Sequence, residues 1–342
     1  MERASPNLMG LVLLLCLGAS CGTHHGPSAP PERVRLILDT DMGNDVDDAL
    51  ALALTHALVS RGEAELLAIT LTKGGSSVAY VDAVNTFYGR PDIPIGTVAG
   101  GGPTPEDSPW LHAVLTRTRM DGQPLYPHDL QAEQAPEAVE VLRHTLAHEA
   151  DGAVVLVQVG FSTNLARLLD SPPDEASPLD GRTLVARKVR RLVLMAGAFP
   201  EGAPEFNVMR DVASARRLFS DWPTPLVASG YEVGSTLVFP AESIEHDFGY
   251  VSDHPIADVY RHYKPMPYDQ PTWDLTAVLY AVRPDAGDFG QSEPGRIEVD
   301  PEGRTTHRAQ PGGHHRFLTV SEEQALRVRQ TFVELVSRPP SG

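Results

Sequence analysis

The chain has 342 residues and a formal net charge of −17 at pH 7, and 42% of its residues are hydrophobic. So acidic a chain has no general attraction for phosphate backbones, which excludes a nucleic-acid partner. Its two cysteines, Cys16 and Cys21, lie in the N-terminal leader, so disulfides, thiol nucleophiles and thiolate metal sites are excluded from the rest of the chain. The residues after the leader suffice for one large domain or two small ones.

The first 32 residues have the composition of an export signal followed by a tether. Residues 8–19 form an apolar run that is too short to span a bilayer comfortably and suits the hydrophobic region of a signal peptide. The segment Gly18-Ala19-Ser20-Cys21 resembles a bacterial lipoprotein cleavage site, although such sites usually carry Leu where this chain has Gly18. We predict a lipoprotein-type signal peptide over residues 1–21, a lipid anchor on Cys21 and a flexible tether over residues 22–32. The protein would then be exported to the cell envelope, or be periplasmic or secreted after ordinary signal cleavage; an uncleaved membrane anchor is the other alternative.

Five carboxylates are concentrated in residues 39–48, namely Asp39, Asp41, Asp45, Asp47 and Asp48. The short aliphatic run at 34–38 predicts a buried strand before them, and residues 49–54, which lack Gly and Pro, predict a helix after them. The acids therefore lie on a strand-to-helix loop, at the sheet edge where open α/β sheets bind ligands. The helix dipole contributes under about 1 kcal/mol per charge, which is too little to hold the acids together. A bound hard cation explains the cluster better than a solvated loop before a capped helix.

Strands and helices alternate along the rest of the chain. Aliphatic or β-branched runs predict further strands at 65–71, 93–96, 153–159, 191–195 and 225–229. The segments that follow predict helices at 78–88, 109–118, 133–149, 165–169, 211–220 and from 273 onward. This alternation predicts an α/β fold whose open, mostly parallel sheet is flanked by helices and joined by right-handed crossovers. A small C-terminal hairpin at 296–319 and a last helix opened by a capping box at Ser321 complete one domain over residues 33–342.

Polar side chains recur where the predicted strands end, and a parallel sheet brings such loops to one edge. They are Asp39, Asp41, Thr163, Asn164, Glu205, Asn207 and Asp274, with Met195 among them. These loops offer oxygen and amide groups but neither His nor Cys, which favours Ca²⁺ or Mg²⁺ over Zn²⁺. A cation there can bind diol oxygens or lower the pKa of bound water, and a neighbouring carboxylate can take the proton of that water.

Two other acidic-loop motifs fit these residues less well. An EF-hand counted from Asp39 requires Gly at position six and Glu at position twelve, where this chain has Asn44 and Leu50. An Mg²⁺-dependent phosphatase of the haloacid-dehalogenase type also has Asp-x-Asp after its first strand, but it usually has Thr or Val where this chain has Gly43. It also leaves the pair Asp47-Asp48 without a role, so it is the less favoured enzyme alternative.

Five segments, in this order, resemble the inosine–uridine-preferring nucleoside hydrolase family over most of the chain after residue 34. They are the Asp-x-Asp…Asp-Asp-Ala loop at 39–49 and the segments 160–166, 195–199, 205–207 and 274–278. The resemblance implies hydrolysis of the N-glycosidic bond of a ribonucleoside, or a related ribosyl compound, to ribose and free base through an oxocarbenium-like transition state. It also implies a part in purine or pyrimidine salvage and a homo-oligomer, since family members are commonly dimers or tetramers.

The resemblance further implies roles for individual residues. One Ca²⁺ would be held by Asp41, Asp48, the Thr163 carbonyl and Asp274. Asp41 would also be the general base, and substrate contacts would come from Asp47, Met195, Glu205 and Asn207. The simpler alternatives are that Asp48 and Asp274 are plain helix caps and that Asp39 only braces the loop by hydrogen bonds.

The chain departs from the family pattern at four places, one of which is the short loop between Phe199 and Glu205 that lacks the family's Asn. The loop at 39–48 is two residues longer than the commonest form, through Asn44 and Asp45. Gly75 stands where the family often carries Asn, and Trp273 stands where many members carry a His that can protonate the departing base. Trp donates a hydrogen bond but cannot supply a proton, so we expect Trp273 to contact the substrate by stacking on the base; packing against neighbouring side chains is the alternative. A noncatalytic envelope protein that binds a ribosyl ligand with the same metal site is the alternative from another class.

Overall fold

A computed structural model describes residues 1–2, 33–200 and 202–340 of the chain, and Arg33–Gly342 form one compact unit. The predicted signal peptide, the Cys21 anchor and the tether fall almost entirely within residues 3–32, outside the described residues. None of the helices in the described ranges is both long and apolar enough to cross a membrane.

The strands are short and mostly buried. Their bounds are β1 Val34–Thr40, β2 Ala64–Leu71, β3 Ile95–Thr97, β4 Val154–Gln158, β5 Val189–Met195, β6 Leu226–Ser229, β7 Val238–Phe239, β8 Gln270–Pro271, β9 Gly290–Gln291, β10 Gly295–Val299, β11 Thr305–Ala309 and β12 His315–Thr319. One sheet has the order β11-β10-β12-β6-β5-β4-β1-β2-β3, with β9 paired to β12 beside this path. The strands from β12 to β3 pair in parallel, whereas β9, β10 and β11 pair antiparallel at one edge. The predicted open, mostly parallel sheet with a C-terminal hairpin is therefore confirmed.

The helices connect successive strands and cover both faces of this sheet. Their bounds are α1 Asp47–Ser60, α2 Ser76–Phe87, α3 Pro109–Leu115, α4 Ala138–His148, α5 Thr163–Asp170, α6 Gly181–Lys188, α7 Phe206–Arg210, α8 Val212–Asp221, α9 Tyr231–Thr236, α10 Ala241–His246, α11 Pro255–Tyr263, α12 Trp273–Val282 and α13 Glu322–Val336. Helix α1 is buried from its first residue to Leu58 and packs on α11, α12 and α13. A helix that is apolar on every side is stable only in such an interior position.

Strand β4 separates two hydrophobic cores. Val155 and Val157 belong to the core that contains α1 and α12, while Val154 and Leu156 belong to the core that contains α5 and α8. Alternate side chains of a strand point to opposite faces, so a run without polar residues fills both cores at once. The near-continuous aliphatic sequence of this strand thus explains its central place in the sheet.

The direction of strand order reverses between β1 and β4. From β1 the chain adds β2 and β3 on one side, and β4 then pairs with the other side of β1 before β5 and β6 extend the sheet. Ligands of open α/β proteins bind in the crevice at such a switch point, outside the carboxyl ends of the strands. The loops that follow β1 and β4 therefore flank the expected site.

The structure differs from the sequence prediction in two regions. The helix predicted from residue 133 begins only at Ala138, because Pro136 lacks an amide donor and Ala135 before it is extended (φ −69°, ψ 135°). Helices α6, α7, α9, α10 and α11 occupy stretches for which the sequence pattern predicts no element. The second difference matters for function, because α9 and α11 contribute to the site.

Helix α1 carries a fully buried histidine, His56, in its C-terminal half, away from the acidic loop. His56 Nε2 lies 2.9 Å from Asn85 Oδ1, and Arg90 Nη1 donates to His56 Nδ1 at 3.3 Å. A guanidinium can only donate, so Nδ1 accepts and the proton of the neutral ring is on Nε2. Burial, together with the charge of Arg90, lowers the pKa of His56 from 6.5 to about 3.

This histidine makes stability depend on pH. Below about pH 6.5 the unfolded chain binds a proton at His56 that the folded protein does not, so its contribution to stability is lost as pH falls from 6.5 towards 3. Between pH 6.5 and 5 the wild type should lose about 1.6 kcal/mol more unfolding free energy than His56→Gln, since the slope rises to about 1.4 kcal/mol per pH unit as the unfolded histidine becomes fully protonated. Urea denaturation at both pH values measures the difference, and equal losses in the two proteins would refute it.

Candidate active site

A cavity of about 300 Å³ opens at the carboxyl ends of β1, β4 and β5, at the switch point of the sheet. Its polar lining consists of Asp41, Asn44, Asp45, Glu205, Asn207 and Asp274. Its apolar lining consists of Val159, Met195, Phe206, Tyr231, Tyr263 and Trp273. Residues distant in sequence thus meet in one acidic pocket with an aromatic wall, and six of the residues singled out from the sequence are among them.

The loop after β1 is held by hydrogen bonds from both sides. Asp39, still within β1, accepts from Thr70 Oγ1 at 2.6 Å and from Asn164 Nδ2 at 2.8 Å through Oδ1. Thr40 Oγ1 accepts from Met42 N at 3.1 Å and donates to Asp48 Oδ1. Asp39 thus braces β1 against the neighbouring strand β2 and against the first turn of α5, and it does not line the cavity. Gly43 permits the turn that follows, since its φ of 106° is strained for any other residue.

Carboxylates from the loop after β1 and from the first turns of α1 and α12 meet at the cavity. Oxygens of Asp45, Asp47 and Asp274 lie within 4.8 Å of one another, and the backbone N–H of Asp274 donates to Asp47 Oδ2 at 3.1 Å. Burial raises the pKa of Asp47, Asp48 and Asp274 well above the usual range, and the neighbouring negative charges raise it further. Carboxylates this close are not ionised together unless a positive charge lies among them.

The buried oxygens of this cluster fit a hard cation. Asp47 Oδ1 and Asp48 Oδ2 are buried without a hydrogen-bond partner in the described part of the chain. Such orphaned acceptors are rare in folded proteins and call for a donor or an ion. The donor set is made of carboxylate oxygens, which Ca²⁺ and Mg²⁺ prefer. The residues present therefore suit the metal ion that the sequence pattern predicts.

Asp41 lines the open cavity together with Asp45 and Asp274 of the carboxylate cluster. It is 4% exposed, and its Oδ2 accepts from Asn44 Nδ2 at 2.7 Å. Burial, followed by repulsion from Asp45, raises the pKa of Asp41 to about 7. A carboxylate with this pKa at a cavity surface is suited to accept a proton near neutral pH.

Glu205 and Asn207 are fixed at the start of α7. Glu205 caps this helix: its carboxylate accepts from the backbone N–H groups of Asn207 at 2.8 Å and Val208 at 3.2 Å, and also from that of Gly197 at 3.0 Å. Burial raises the pKa of Glu205 to about 7 in spite of these bonds. Asn207 Nδ2 donates to the carbonyls of Val159 at 2.8 Å and Met195 at 3.1 Å. Both amide hydrogens are thereby used, so Asn207 can offer only its oxygen to a ligand.

The aromatic wall includes Trp273, whose indole N–H is already engaged. Trp273 Nε1 donates to the Tyr231 carbonyl at 3.0 Å, and the two rings stack with centroids 5.6 Å apart and planes 25° apart. The tryptophan therefore presents only its ring to the cavity. Tyr231 and Tyr263 lie on α9 and α11 in stretches without a polar motif, so no signal in the sequence pointed to them.

Four of the predicted site residues have surroundings that bear on their roles. Thr163 directs its hydroxyl to Asp211 Oδ2 at 2.6 Å and does not line the cavity, and its carbonyl as a metal ligand stays a prediction. Asp47 and Asp48 also lie behind the cavity surface. Neither Asp48 nor Asp274 is a helix cap, because the cap positions of α1 and α12 are Val46 and Thr272. The capping alternatives are therefore wrong.

Fold and site together define an α/β protein with an acidic ligand pocket at the switch point of a mostly parallel sheet. The family model described as inosine-uridine preferring nucleoside hydrolase matches residues 36–331, and the chain belongs to this family. Membership in this family excludes the phosphatase alternative. The family is metal-dependent, which accounts for the Asp cluster.

Individual relatives are more distant. The chain is 34% identical over 220 residues to the pyrimidine-specific ribonucleoside hydrolase RihA of Salmonella dublin, and likewise to that of Salmonella typhi. Each match covers 61% of this chain and 64% of the relative, so it spans less than two thirds of the relative's length. Two solved structures show the same fold. One is the purine-preferring ribonucleoside hydrolase from Gardnerella vaginalis, which is 20% identical and matches with a TM-score of 0.61 over 89% of this chain and 99% of the other. The second is the inosine-uridine preferring nucleoside hydrolase from Bacillus anthracis, which is 17% identical and matches with a TM-score of 0.64 over 88% of this chain and 99% of the other.

Proposed function

We propose that the protein is a Ca²⁺-dependent ribonucleoside hydrolase that releases ribose and a free base. The observation that carries the proposal is Asp41, a buried carboxylate with a pKa near 7 that lines the open cavity together with Asp45 and Asp274 of the carboxylate cluster. Family membership and the named activities of the relatives support it, since these act on pyrimidine or purine ribonucleosides. The relatives differ in the base they prefer, so the proposal covers the ribosyl part of the substrate.

The metal ion has a defined set of candidate ligands. Asp274 belongs both to the observed cluster and to the set that the family resemblance implies, and we place it first among the ligands. Asp41, Asp48 and the Thr163 carbonyl complete the implied set, and Asp45 and Asp47 supply further carboxylate oxygens beside it. When bound, the ion lets these carboxylates ionise together, orients the sugar diol and lowers the pKa of water.

The chain's own residues then account for the reaction. Asp41 takes a proton from the water whose oxygen attacks C1′ of the ribose, while the bond from C1′ to the base nitrogen breaks and its electron pair stays on the base, which takes up a proton from solvent water. The Glu205 carboxylate and the Asn207 amide oxygen accept hydrogen bonds from ribose hydroxyls, and Met195 packs against the sugar. The negative charge of the pocket stabilises the positive charge that develops on the sugar ring.

The base is held by the aromatic wall. Trp273 and Tyr231 present stacked rings, and stacking on a planar heterocycle requires no free hydrogen-bond donor. Because the Trp273 N–H donates to a carbonyl, the indole positions the base without donating to it.

The decisive experiment incubates the mature domain with a panel of ribonucleosides, with and without a chelator, and measures reducing sugar. Release that the chelator abolishes supports the hydrolase. Binding of nucleosides without any release identifies the noncatalytic ribosyl-binding alternative.

We also propose, from the leader sequence, that the protein is an exported lipoprotein that acts on nucleosides outside the cytoplasm. From the family resemblance we propose that it is a homo-oligomer and takes part in purine or pyrimidine salvage.

Cys21→Ser is expected to move the full chain from the membrane pellet to the soluble fraction of a bacterial host, because the lipid requires the thiol at that position. Cys16→Ser is the matched control, since that cysteine lies within the hydrophobic run. Fractionation followed by mass spectrometry measures both. A wild-type protein that is soluble and unlipidated would contradict the anchor.

A further inference from the structure

Asn44, one of the two extra residues of the acidic loop, has partners on two neighbouring segments. Asn44 Nδ2 lies 2.7 Å from Asp41 Oδ2 and 3.2 Å from Thr104 Oγ1, and Asn44 Oδ1 lies 3.5 Å from Lys73 Nζ. Lys73 Nζ also donates to the Thr104 carbonyl at 3.1 Å. The loops after β1 and β2 and the segment before α3 thus meet around one side-chain amide.

The chemistry of these partners fixes which way the amide faces. An ammonium group can only donate, so the amide oxygen of Asn44 must face Lys73. An ionised carboxylate can only accept, so the amide nitrogen must face Asp41. The two ends of the amide therefore have one consistent assignment, with the nitrogen directed at the carboxylate that we propose as the base.

Lys73 is held in an unusual setting for a lysine. Its side chain is nearly buried (4% exposed), and the two oxygens that accept from it belong to neutral groups, the Thr104 carbonyl and the Asn44 amide. Burying an ammonium group on neutral partners is costly. Its positive charge faces Asp41, Asp48, Glu106 and Asp107 at longer range, which offsets part of this cost. A buried cation beside the acidic loop is consistent with a role in holding that loop.

Two glycines shape the backbone around this contact. A Cβ at Gly75 would lie 2.7 Å from Asp107 Oδ1, because Asp107 accepts from Ser76 N and Ser76 Oγ at 2.9 Å each. An asparagine, which the family often carries at this position, therefore does not fit here. A Cβ at Gly102 would lie 2.2 Å from the Thr72 carbonyl, so glycine lets the chain pass close to the end of β2 before Thr104 reaches Asn44.

We propose that Lys73 and Asn44 form a hydrogen-bond relay that sets the orientation of the Asp41 carboxylate. Asn44 is then a positioning residue supplied by the longer loop, and Lys73 positions Asn44 in turn. The catalytic consequence rests on the proposed hydrolase function, whereas the effect on the carboxylate does not. Groups that orient a metal-binding or catalytic carboxylate typically change affinity or activity by about 10–100-fold when removed.

The test combines steady-state kinetics on ribonucleosides with Ca²⁺ titration calorimetry of Asn44→Ala, Lys73→Met and the double variant in the full domain. Methionine keeps much of the volume of the buried lysine stem and removes its charge, and Asn44 lies on a loop, so both variants should fold. Each single variant should lower kcat by about 10–100-fold with a much smaller change in KM, and should weaken Ca²⁺ binding. The double variant should be little worse than the poorer single variant, because both act through one chain of contacts.

Two controls isolate the relay. Lys188→Met removes another partly buried lysine, which donates to the Glu149 carbonyl at 2.7 Å at the opposite end of the sheet, and should change neither readout. Thr104→Val removes only the hydroxyl beside Asn44 and should give a smaller loss than Asn44→Ala. Wild-type levels of both kcat and Ca²⁺ affinity in Asn44→Ala, or effects of the two single variants that multiply, would overturn the relay. If the wild type cleaves no nucleoside, the proposed function fails, and the Ca²⁺ titrations alone decide the relay.

Discussion

Asp41→Asn should lower kcat for ribonucleoside hydrolysis by about 10²–10⁴-fold, the range that a positioned general base contributes. The substitution keeps the size of the side chain and an oxygen for metal coordination, but an amide cannot accept the proton of the attacking water. Release of reducing sugar under saturating substrate measures kcat directly. The neighbouring amide of Asn44 can still donate to the new amide oxygen, so the loop is expected to keep its conformation.

The control for this prediction is Asp121→Asn, an exposed carboxylate whose described contact is with the backbone N–H of Gln123. It removes the same charge without touching the cavity and should leave kcat unchanged. Ca²⁺ affinity separates the two proposed roles of Asp41, because loss of the base alone lowers kcat while the ion still binds. If Asp41→Asn retains wild-type kcat, another group is the base. If the wild type itself releases no sugar, Asp41 has only a binding role, as in the noncatalytic alternative.

The overall fold could be predicted because it depends on local pattern. The aliphatic run of β4 specifies a strand buried on both faces, and the Ala-Leu repeat of α1 specifies a helix buried on every side. The acidic loop between β1 and α1 was recognisable for a chemical reason, since five carboxylates so close together need an ion or solvent. These features require no knowledge of which distant residues will become neighbours.

The parts of the site that escaped prediction depend on tertiary contacts. Asp45 joins Asp47 and Asp274 only because the loop turns through Gly43 and α12 begins beside α1. Asn44 acquires its role from Lys73 on another loop, which no spacing rule connects to it. Tyr231 and Tyr263 reach the cavity from α9 and α11, where neither motif nor periodicity suggests a function. Local sequence therefore indicated the chemistry of the site, and the meeting of remote segments determined its walls.

Removal of the metal ion should abolish sugar release and also lower the thermal stability of the protein. Without an ion the oxygens of Asp45, Asp47 and Asp274 lie within 4.8 Å of one another with no positive charge among them. A ligand that binds only the folded state stabilises it by about 2.7 kcal/mol when its free concentration is 100 times Kd. Thermal unfolding in chelator and in excess Ca²⁺ or Mg²⁺ measures this effect, and the ion that gives the larger shift in Tm at equal free concentration is the better ligand.

Asp274→Asn should change the two states of the protein in opposite directions. In the metal-free protein it removes one of the repelling carboxylates while keeping the backbone N–H that donates to Asp47, so Tm should rise by about 2–4 °C, which is about 1 kcal/mol for a large domain. In Ca²⁺ the same variant lacks a charged ligand, so its Tm should fall below that of the wild type and its hydrolase activity should be lost. A solvated acidic cluster with no bound ion predicts a variant that is at least as stable as the wild type under both conditions. A variant that is more stable than the wild type without metal but less stable in Ca²⁺ therefore identifies a metal centre and not an acidic surface. This result does not depend on which nucleoside the enzyme prefers.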